Sequence, residues 1–245
     1  MTGLHFIEAD WPAPKNVRAV ASTRAGGVSI GPYASLNLGA HVGDEASAVR
    51  ENRLRLRNAL ALPSEPLWLS QVHGTAVVEA VPHSAPPTAD ASYSRSPGHA
   101  CAVLTADCLP VLFCDRDGTG VAAAHAGWRG LAGGVLESAL RAIGSAPDRV
   151  LAWLGPAIEQ DAYEVGAEVR EQFVAASADN AHAFKANDRG RWQADLYDLA
   201  RRELARLGVT QVFGGGLRCH ADRDRFYSFR RDGTTGRMAT LVWMK

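Results

Sequence analysis

Short hydrophobic runs rich in β-branched and aromatic residues recur along the chain, and turn-forming residues separate them. Runs of this length and composition predict β-strands. The turn sequence "DRDGTG" contains Asp-Gly, so it predicts a hairpin between the strands on either side of it. The predicted strands lie at 17–21, 76–81, 100–104, 111–114, 121–125, 150–154, 209–213, 225–229 and 239–243.

Helical periodicity appears in other segments, where apolar residues recur three or four positions apart. Asp44 precedes the first of these segments as a candidate N-cap. Gly144 and Gly208 follow two of the others as candidate helix terminators. The predicted helices span residues 45–60, 130–143, 162–175 and 195–207.

The order of these elements predicts the fold class. Strands that follow one another as hairpins, with helices between the groups, favour an α+β, or mixed α/β, fold over a doubly wound parallel sheet. We therefore expect a layered sandwich of mixed β-sheets with flanking helices, in a single domain spanning residues 1–245. The Pro- and Ser-rich stretch 81–99 is interpreted as a surface loop within that domain.

Composition and charge narrow the classes of function. The 245 residues are 47% hydrophobic and 21% charged, and 26 basic side chains balance 26 acidic ones. A chain with no basic excess is not expected to bind nucleic acid or an anionic membrane broadly. Four cysteines do not suggest a disulfide framework, and the N-terminus does not resemble a secretory signal. These features predict a protein of the cytoplasm.

Candidate chemistry is concentrated at His73, Cys108 and His125, each of which lies where an apolar, strand-like run gives way to a turn. A single cysteine or histidine is usually a packing residue, so the pattern leaves both interpretations open. If the three converge, two imidazoles and a thiolate suit Zn²⁺, with copper as a competitor in vitro. Three protein ligands leave a fourth position for water or substrate. Without a metal, Cys108 beside a histidine would be a thiol nucleophile with its base.

Anion-binding features lie near these residues in the sequence. Arg129 stands at the start of the predicted helix 130–143, whose free N–H groups would favour a phosphate. Arg230, Arg231 and Arg237 surround a Thr-Gly turn, and guanidinium groups bind phosphate through two hydrogen bonds. The alternative is that these arginines lie on a solvated surface.

Several blocks of the sequence resemble the bacterial YfiH-like proteins. This family is also known as laccase-domain or multicopper polyphenol oxidase proteins, and it is related to purine nucleoside phosphorylases of the human LACC/FAMIN type. The resemblance extends over nearly the whole chain, in the blocks "STRAGGVSIGPYASLNLG" (22–39), "NRLRL" (52–56), "WLSQVHG" (68–74), "TADCLPVLF" (105–113), "AAHAGWRGLAGGVLE" (123–137), "LGPAI" (154–158), "YEVG" (163–166) and "FYSFRRDGTTGRMA" (226–239).

The resemblance implies a mixed α/β fold, a monomer, and the zinc ligands His73, Cys108 and His125. It implies phosphorolysis of adenosine, inosine and methylthioadenosine, with adenosine deamination as a second activity. In the mechanism that we expect, phosphate attacks ribose C1′ as the purine leaves, or zinc activates water for attack at purine C6. Beside the zinc ligands, Asp107 is expected to act as proton carrier. Arg231 and Arg237 are expected to bind phosphate, together with the helix start near Arg129. Arg24 and Asn37 are expected to contact the substrate. His220 departs from the family pattern, which often has Thr there.

Other functions stay open at this point. A copper-dependent polyphenol oxidase is suggested by the family label, but multicopper oxidases need more clustered histidines than the eight scattered ones present. A hydrolase that edits cell-wall precursors, cleaving an amide of a muramyl-serine compound, is a further activity associated with the family. The third alternative is a non-catalytic scaffold with a structural zinc, for which no fourth ligand is evident.

Overall fold

Two stacked β-sheets form the centre of the protein, which a computed structural model describes over residues 3–245. In chain order the strands are β1 (Phe6–Glu8), β2 (Val17–Ser22), β3 (Val77–Glu79), β4 (Ala91–Ser94), β5 (Cys101–Thr105), β6 (Leu109–Asp115), β7 (Val121–Ala126), β8 (Val150–Leu154), β9 (Glu164–Val165), β10 (Phe184–Ala186), β11 (Trp192–Ala194), β12 (Gln211–Gly214) and β13 (Met238–Met244). The α-helices are α1 (Ala46–Ala59), α2 (Trp128–Gly133), α3 (Val135–Ile143), α4 (Ala167–Ala176), α5 (Leu196–Arg206) and α6 (Phe229–Asp232).

The two main sheets contain strands of both directions. The first has the order β1-β2-β13-β5 and is antiparallel throughout. The second has the order β12-β8-β6-β7-β4-β3, in which the outer pairs are parallel and the inner ones antiparallel. A small antiparallel sheet, β10-β11-β9, lies beside them.

Successive side chains of a buried strand point to opposite faces of its sheet, so each strand contributes to two layers of the core. On β6, Leu112 and Cys114 pack against the first sheet, whereas Val111 and Phe113 belong to the core formed with α3. On the outer face of the first sheet, residues of β2, β5 and β13 pack against Leu56 of α1. The result is a helix–sheet–sheet–helix sandwich, which confirms the predicted mixed α+β layered fold.

Several predicted elements differ in the structure. The predicted helix 130–143 is two helices, α2 and α3, because Gly134 between them adopts a left-handed conformation (φ +95°). The predicted strand at 225–229 is wrong, since the Ser228 side chain accepts a hydrogen bond from the Arg231 amide and starts α6. Part of the predicted loop 81–99 is the buried strand β4.

Two further helix predictions also need correction. The predicted helix 162–175 begins only at Ala167, because Glu164–Val165 pairs with β11 as a strand. Asp44 does not cap α1; Glu45 is the N-cap residue and has no capping hydrogen bond from its side chain. The Asp44 carboxylate instead accepts hydrogen bonds from Ser29 and Asn37.

None of the helices found in residues 3–245 has both the length and the apolar character needed to span a membrane.

Candidate metal centre and its pocket

Cys108 and His125 lie close together where the chain passes from the first main sheet to the second. Strand β5 ends at Thr105 in the first sheet and β6 begins at Leu109 in the second, so residues 106–108 connect them. Leu109 pairs with Ala126 at the end of β7. Cys108 therefore lies beside the strand end that contains His125.

His73 reaches the same place from a loop that precedes β3. Its backbone is left-handed, with φ +61°, which is uncommon for a residue other than glycine. The buried Asp90 carboxylate accepts hydrogen bonds from the amides of Val72 (3.1 Å), His73 (2.9 Å) and Gly74 (2.7 Å). These bonds stabilise the tight turn that presents the His73 ring.

The three side chains form a cluster that we call the triad. The candidate donor atoms of His73, Cys108 and His125 all lie within 4.8 Å of one another. Cys108 Sγ is 3.9 Å from His73 Nε2. A tetrahedral zinc ion with bonds of about 2.0–2.3 Å separates its ligand atoms by roughly 3.5 Å. The spacing and the donor chemistry therefore fit a zinc ion.

His125 has a defined orientation within the triad. Its Nδ1 is 2.8 Å from Asp90 Oδ1, and both side chains are buried. Because a carboxylate accepts that bond, Nδ1 is the protonated nitrogen and Nε2 is the atom available to a metal.

The triad is electrostatically coupled. Burial by itself would raise the pKa of the Cys108 thiol, but the charge of His125 and hydrogen bonds from both histidines outweigh it and lower that pKa well below its usual range. Burial would likewise lower the pKa of His125, but the Cys108 charge and the bond to Asp90 raise it. The sulfur is therefore readily available as a thiolate, which is the form that binds metal.

Gly127 allows the triad to be compact. A Cβ atom placed on this residue would lie 2.8 Å from His73 Cδ2 and 3.2 Å from Cys108 Sγ. No side chain fits at this position without displacing a donor.

The triad lies in a cavity of about 330 Å³, which we call the triad pocket. Its wall combines polar, cationic and aromatic side chains, a composition suited to a small polar ligand. The lining residues are His41, Gln71, His73, Leu104, Thr105, Ala106, Asp107, Cys108, His125, Ile158, Tyr163, Phe229, Arg230 and Arg237.

Asp107 lies in this wall and is 8% exposed. Its Oδ2 accepts a hydrogen bond of 2.6 Å from the Arg230 amide. The buried Oδ1 has no hydrogen-bond partner among residues 3–245. Burial raises the pKa of this carboxyl, against the opposing bond from Arg230.

The two arginines predicted to bind phosphate have different surroundings in the structure. Arg237 lines the pocket, where its guanidinium donates to the carbonyls of Thr235 and Gly236. The Arg231 guanidinium points elsewhere and donates to Asp232 and to the carbonyls of Cys219, His220 and Phe226.

The other predicted substrate contacts lie outside the pocket wall. Arg129 is exposed and its guanidinium stacks on the Trp128 ring at 4.4 Å. Arg24 stacks on Tyr227 and donates to the carbonyls of Ala34 and Arg223.

Asn37 and His220 also have structural partners. The Asn37 Oδ1 accepts from the amides of Gly39 and Arg237, so this residue supports the backbone that positions Arg237. The His220 amide donates to Glu159, and its carbonyl accepts from Arg231. Neither residue lines the triad pocket.

Sequence reasoning missed several residues of the site. The sequence marks Arg230 only as one member of an arginine cluster, and the predicted site does not include His41, Gln71, Tyr163, Phe229 or Asp90. Tyr163 and Phe229 belong to the family-like blocks "YEVG" and "FYSFRRDGTTGRMA", which is the signal that could have drawn attention to them. Asp90 lies in the stretch interpreted as a surface loop, where no pattern marks a buried carboxylate.

The fold and the site together define a layered α+β protein with a Cys-His-His cluster in a cationic pocket. The family model described as multi-copper polyphenol oxidoreductase laccase matches residues 18–245. The chain therefore belongs to this family.

Relatives match along almost the whole chain. The sequence is 55% identical over 240 residues to a protein of Escherichia coli (strain K12) named purine nucleoside phosphorylase YfiH, with 98% of each chain covered. It is 57% identical over 242 residues, again 98% of each, to purine nucleoside phosphorylase PA4543 of Pseudomonas aeruginosa.

Solved structures confirm the fold. The Neisseria meningitidis protein NMB0706 superimposes with a TM-score of 0.95 at 53% identity, covering 98% of this chain and 99% of that chain. YlmD from Geobacillus stearothermophilus gives a TM-score of 0.90 at 31% identity, with 96% and 94% covered.

Proposed function

We propose that the protein is a zinc-dependent purine nucleoside phosphorylase that acts on adenosine, inosine and methylthioadenosine and also deaminates adenosine. The observation that carries this proposal is the triad pocket, where three candidate metal donors lie with arginine side chains that form no ion pair among residues 3–245 and with an aromatic wall. The names of the relatives at 55% and 57% identity support the same activity.

His73, Cys108 and His125 would hold the zinc ion. Zinc supplies Lewis acidity, which polarises a substrate oxygen and lowers the pKa of water. The protein contributes the donors, their fixed geometry and an open side toward the cavity. In the described part of the chain this cluster has three donors and not four, so a closed structural site is not favoured.

Phosphate would bind beside Arg237 and Arg230. Both line the pocket, and neither forms an ion pair with a carboxylate of residues 3–245. Arg237 is partly buried, which strengthens its attraction to an anion. This assignment replaces Arg231, whose guanidinium is occupied by structural hydrogen bonds.

The purine would stack on Phe229. Its side chain is 58% exposed although it lines the pocket, and the Arg237 guanidinium lies 5.8 Å from the centre of its ring, so the uncovered part of the ring is available to a flat ligand. Stacking of a base on an aromatic ring contributes about 1–3 kcal/mol. Tyr163 lies in the same wall.

The chemical step requires a proton for the leaving purine. A phosphate oxygen forms a bond to ribose C1′ while the C1′–N bond breaks, and the purine nitrogen takes a proton. Asp107 is the proposed carrier, because its unpartnered Oδ1 belongs to a residue of the pocket wall. The products are the free base and ribose 1-phosphate.

A multicopper oxidase mechanism is less well supported than phosphorolysis. The His₂Cys donor set of the triad could accept copper, but oxidases of that class use several copper sites. Within residues 3–245 the triad is the one donor cluster. Copper is therefore a competitor for the same donors.

The substrate panel is the experiment that tests this function. Purified protein is incubated with each nucleoside in the presence and absence of phosphate, and ribose 1-phosphate, free base and ammonia are measured. We expect ribose 1-phosphate only when phosphate is present. Among the nucleosides, we expect only adenosine to release ammonia. Release of free base without phosphate would overturn the proposal, as would cleavage of a muramyl-serine amide or oxidation of a phenol as the main activity.

A further inference from the structure

A single buried carboxylate contacts both histidines of the triad. Asp90 is fully buried and directly precedes β4, in the sheet that also contains β7. Its Oδ1 accepts from His125 Nδ1 at 2.8 Å and from the His73 amide at 2.9 Å. Its Oδ2 accepts from the amides of Val72 and Gly74.

We propose that Asp90 is the positioning residue of the metal centre, because one carboxylate orients both imidazole ligands. It acts on His125 through the ring and on His73 through the backbone. This inference rests on the metal centre of the proposed function, and it adds a residue that does not itself contact the metal or the substrate.

The effect on His125 follows from its two ring nitrogens. A carboxylate at Nδ1 fixes the tautomer in which Nε2 has the free lone pair, and it prevents rotation of the ring. The backbone reinforces this arrangement, since the His125 amide also donates to the Asp90 carbonyl at 2.7 Å. Asp90 therefore restrains both the main chain and the side chain of this ligand.

The effect on His73 follows from its backbone conformation. A left-handed residue with a side chain is unfavourable unless the surroundings compensate for it. Three successive amides converge on the Asp90 carboxylate, which has the shape of an anion-binding turn. Without that anion, residues 72–74 would relax, and the exposed His73 ring would lose its direction.

Only a carboxylate satisfies all four donors. Asparagine at position 90 offers one acceptor oxygen, and its NH₂ group would face N–H donors. Asp90→Asn therefore leaves donors unpaired while it preserves size. The variant tests charge and acceptor capacity rather than volume.

The test compares Asp90→Asn with Asp115→Asn. Asp115 is also a buried aspartate (3% exposed), and it accepts from Thr119 and Ser145 at the other end of β6. Zinc dissociation constants are measured by chelator competition, and the absorption spectrum of the cobalt-substituted protein reports the ligand geometry. We expect Asp90→Asn to weaken zinc binding about 10- to 100-fold and to change the cobalt spectrum. Asp115→Asn should lower stability but leave both readouts unchanged.

A second measurement does not depend on the folding of a variant. Nitrogen NMR of the zinc-loaded natural protein should show His125 protonated at Nδ1 and metal-bound through Nε2. The opposite tautomer would overturn the proposal, as would equal zinc affinity and equal cobalt spectra in the natural protein and Asp90→Asn. A natural protein that binds no zinc would overturn the metal centre itself, and with it this role.

Discussion

Cys108 differs from the other cysteines in the environment of its sulfur. Cys101, Cys114 and Cys219 are fully buried, and burial raises the pKa of each thiol. Cys108 is only partly buried, and its two histidine neighbours favour the thiolate. Reactivity of a cysteine follows accessibility and thiolate content.

A thiol-reactive probe is therefore expected to modify one cysteine per chain rapidly when the protein has been stripped of metal. Zinc should suppress this reaction, because the metal occupies the sulfur. The modified residue is identified by peptide mass spectrometry, with Cys108→Ser as the control that should not react. Rapid modification of another cysteine, or no protection by zinc, would contradict the assignment of Cys108.

Arg231 and Arg237 show how neighbouring arginines can have different roles. Arg231 joins the carbonyls of residues 219, 220 and 226 to Asp232, and its side chain is 7% exposed. Arg237 keeps its guanidinium in the pocket wall. Both belong to the same sequence block, so the sequence alone could not distinguish them.

Replacement of Arg237 by Ala is expected to raise the KM for phosphate about 10- to 100-fold, since a charge-assisted hydrogen bond contributes about 1.5–3 kcal/mol. Replacement of Arg231 by Ala should instead lower the free energy of unfolding by a similar amount. Phosphate titrations and chemical denaturation of both variants separate the two effects. An unchanged KM in Arg237→Ala would remove this residue from the phosphate site.

At the scale of elements, the start of α2 determines how closely the triad can pack. Gly127 is the N-cap of this helix, and it follows the last residue of β7. Its missing side chain allows the helix to begin directly against His73 and Cys108. The helix start therefore lies against the triad although it supplies none of the three candidate donors.

Gly127→Ala is expected to weaken zinc binding about tenfold or more, because the added methyl group displaces His73 or Cys108 from its position. Chelator competition measures the change. Gly216→Ala is the matched control, since a Cβ there meets no heavy atom within 4 Å. Zinc affinity equal to that of the natural protein would show that the site tolerates a wider spacing.

Strand prediction succeeded for strands that are long, buried and bounded by a clear turn, such as β6 and β7 on either side of "DRDGTG". It failed at 225–229, where the hydrophobic residues Phe226 and Tyr227 are buried in a loop. Local patterns report burial, but they do not report whether a neighbouring strand is present to accept the backbone hydrogen bonds. The short strand β4 was missed although it is buried, because its sequence ASYS contains two serines and resembles a loop.

At the scale of the whole molecule, the triad lies where the two sheets and the loop before β3 meet. Its donors come from three segments that are distant in sequence. The sequence predicted the three candidate donors from their positions beside turns and from the family blocks, although His73 lies in a loop and not at the end of a strand. It could not predict Asp90 or the pocket wall, because these depend on how the layers are stacked.

Because the donors join separate segments, zinc should stabilise the fold. At a free zinc concentration 100 times the dissociation constant, the expected gain is about 2.7 kcal/mol, or a rise in Tm of roughly 5–10 °C. Calorimetry with and without a chelator measures this shift, which Cys108→Ala should abolish. Equal melting temperatures under both conditions would mean that the metal does not bind the folded protein preferentially.

Metal content and turnover measured on the same sample test the central claim most directly. Zinc per chain and ribose 1-phosphate released from inosine are determined for the natural protein and for Cys108→Ala. We expect the natural protein to hold about one zinc ion per chain, as the single triad implies, and to release ribose 1-phosphate. The variant should lose both. If zinc content and phosphorolysis are the same in the two proteins, the triad is not the catalytic metal site.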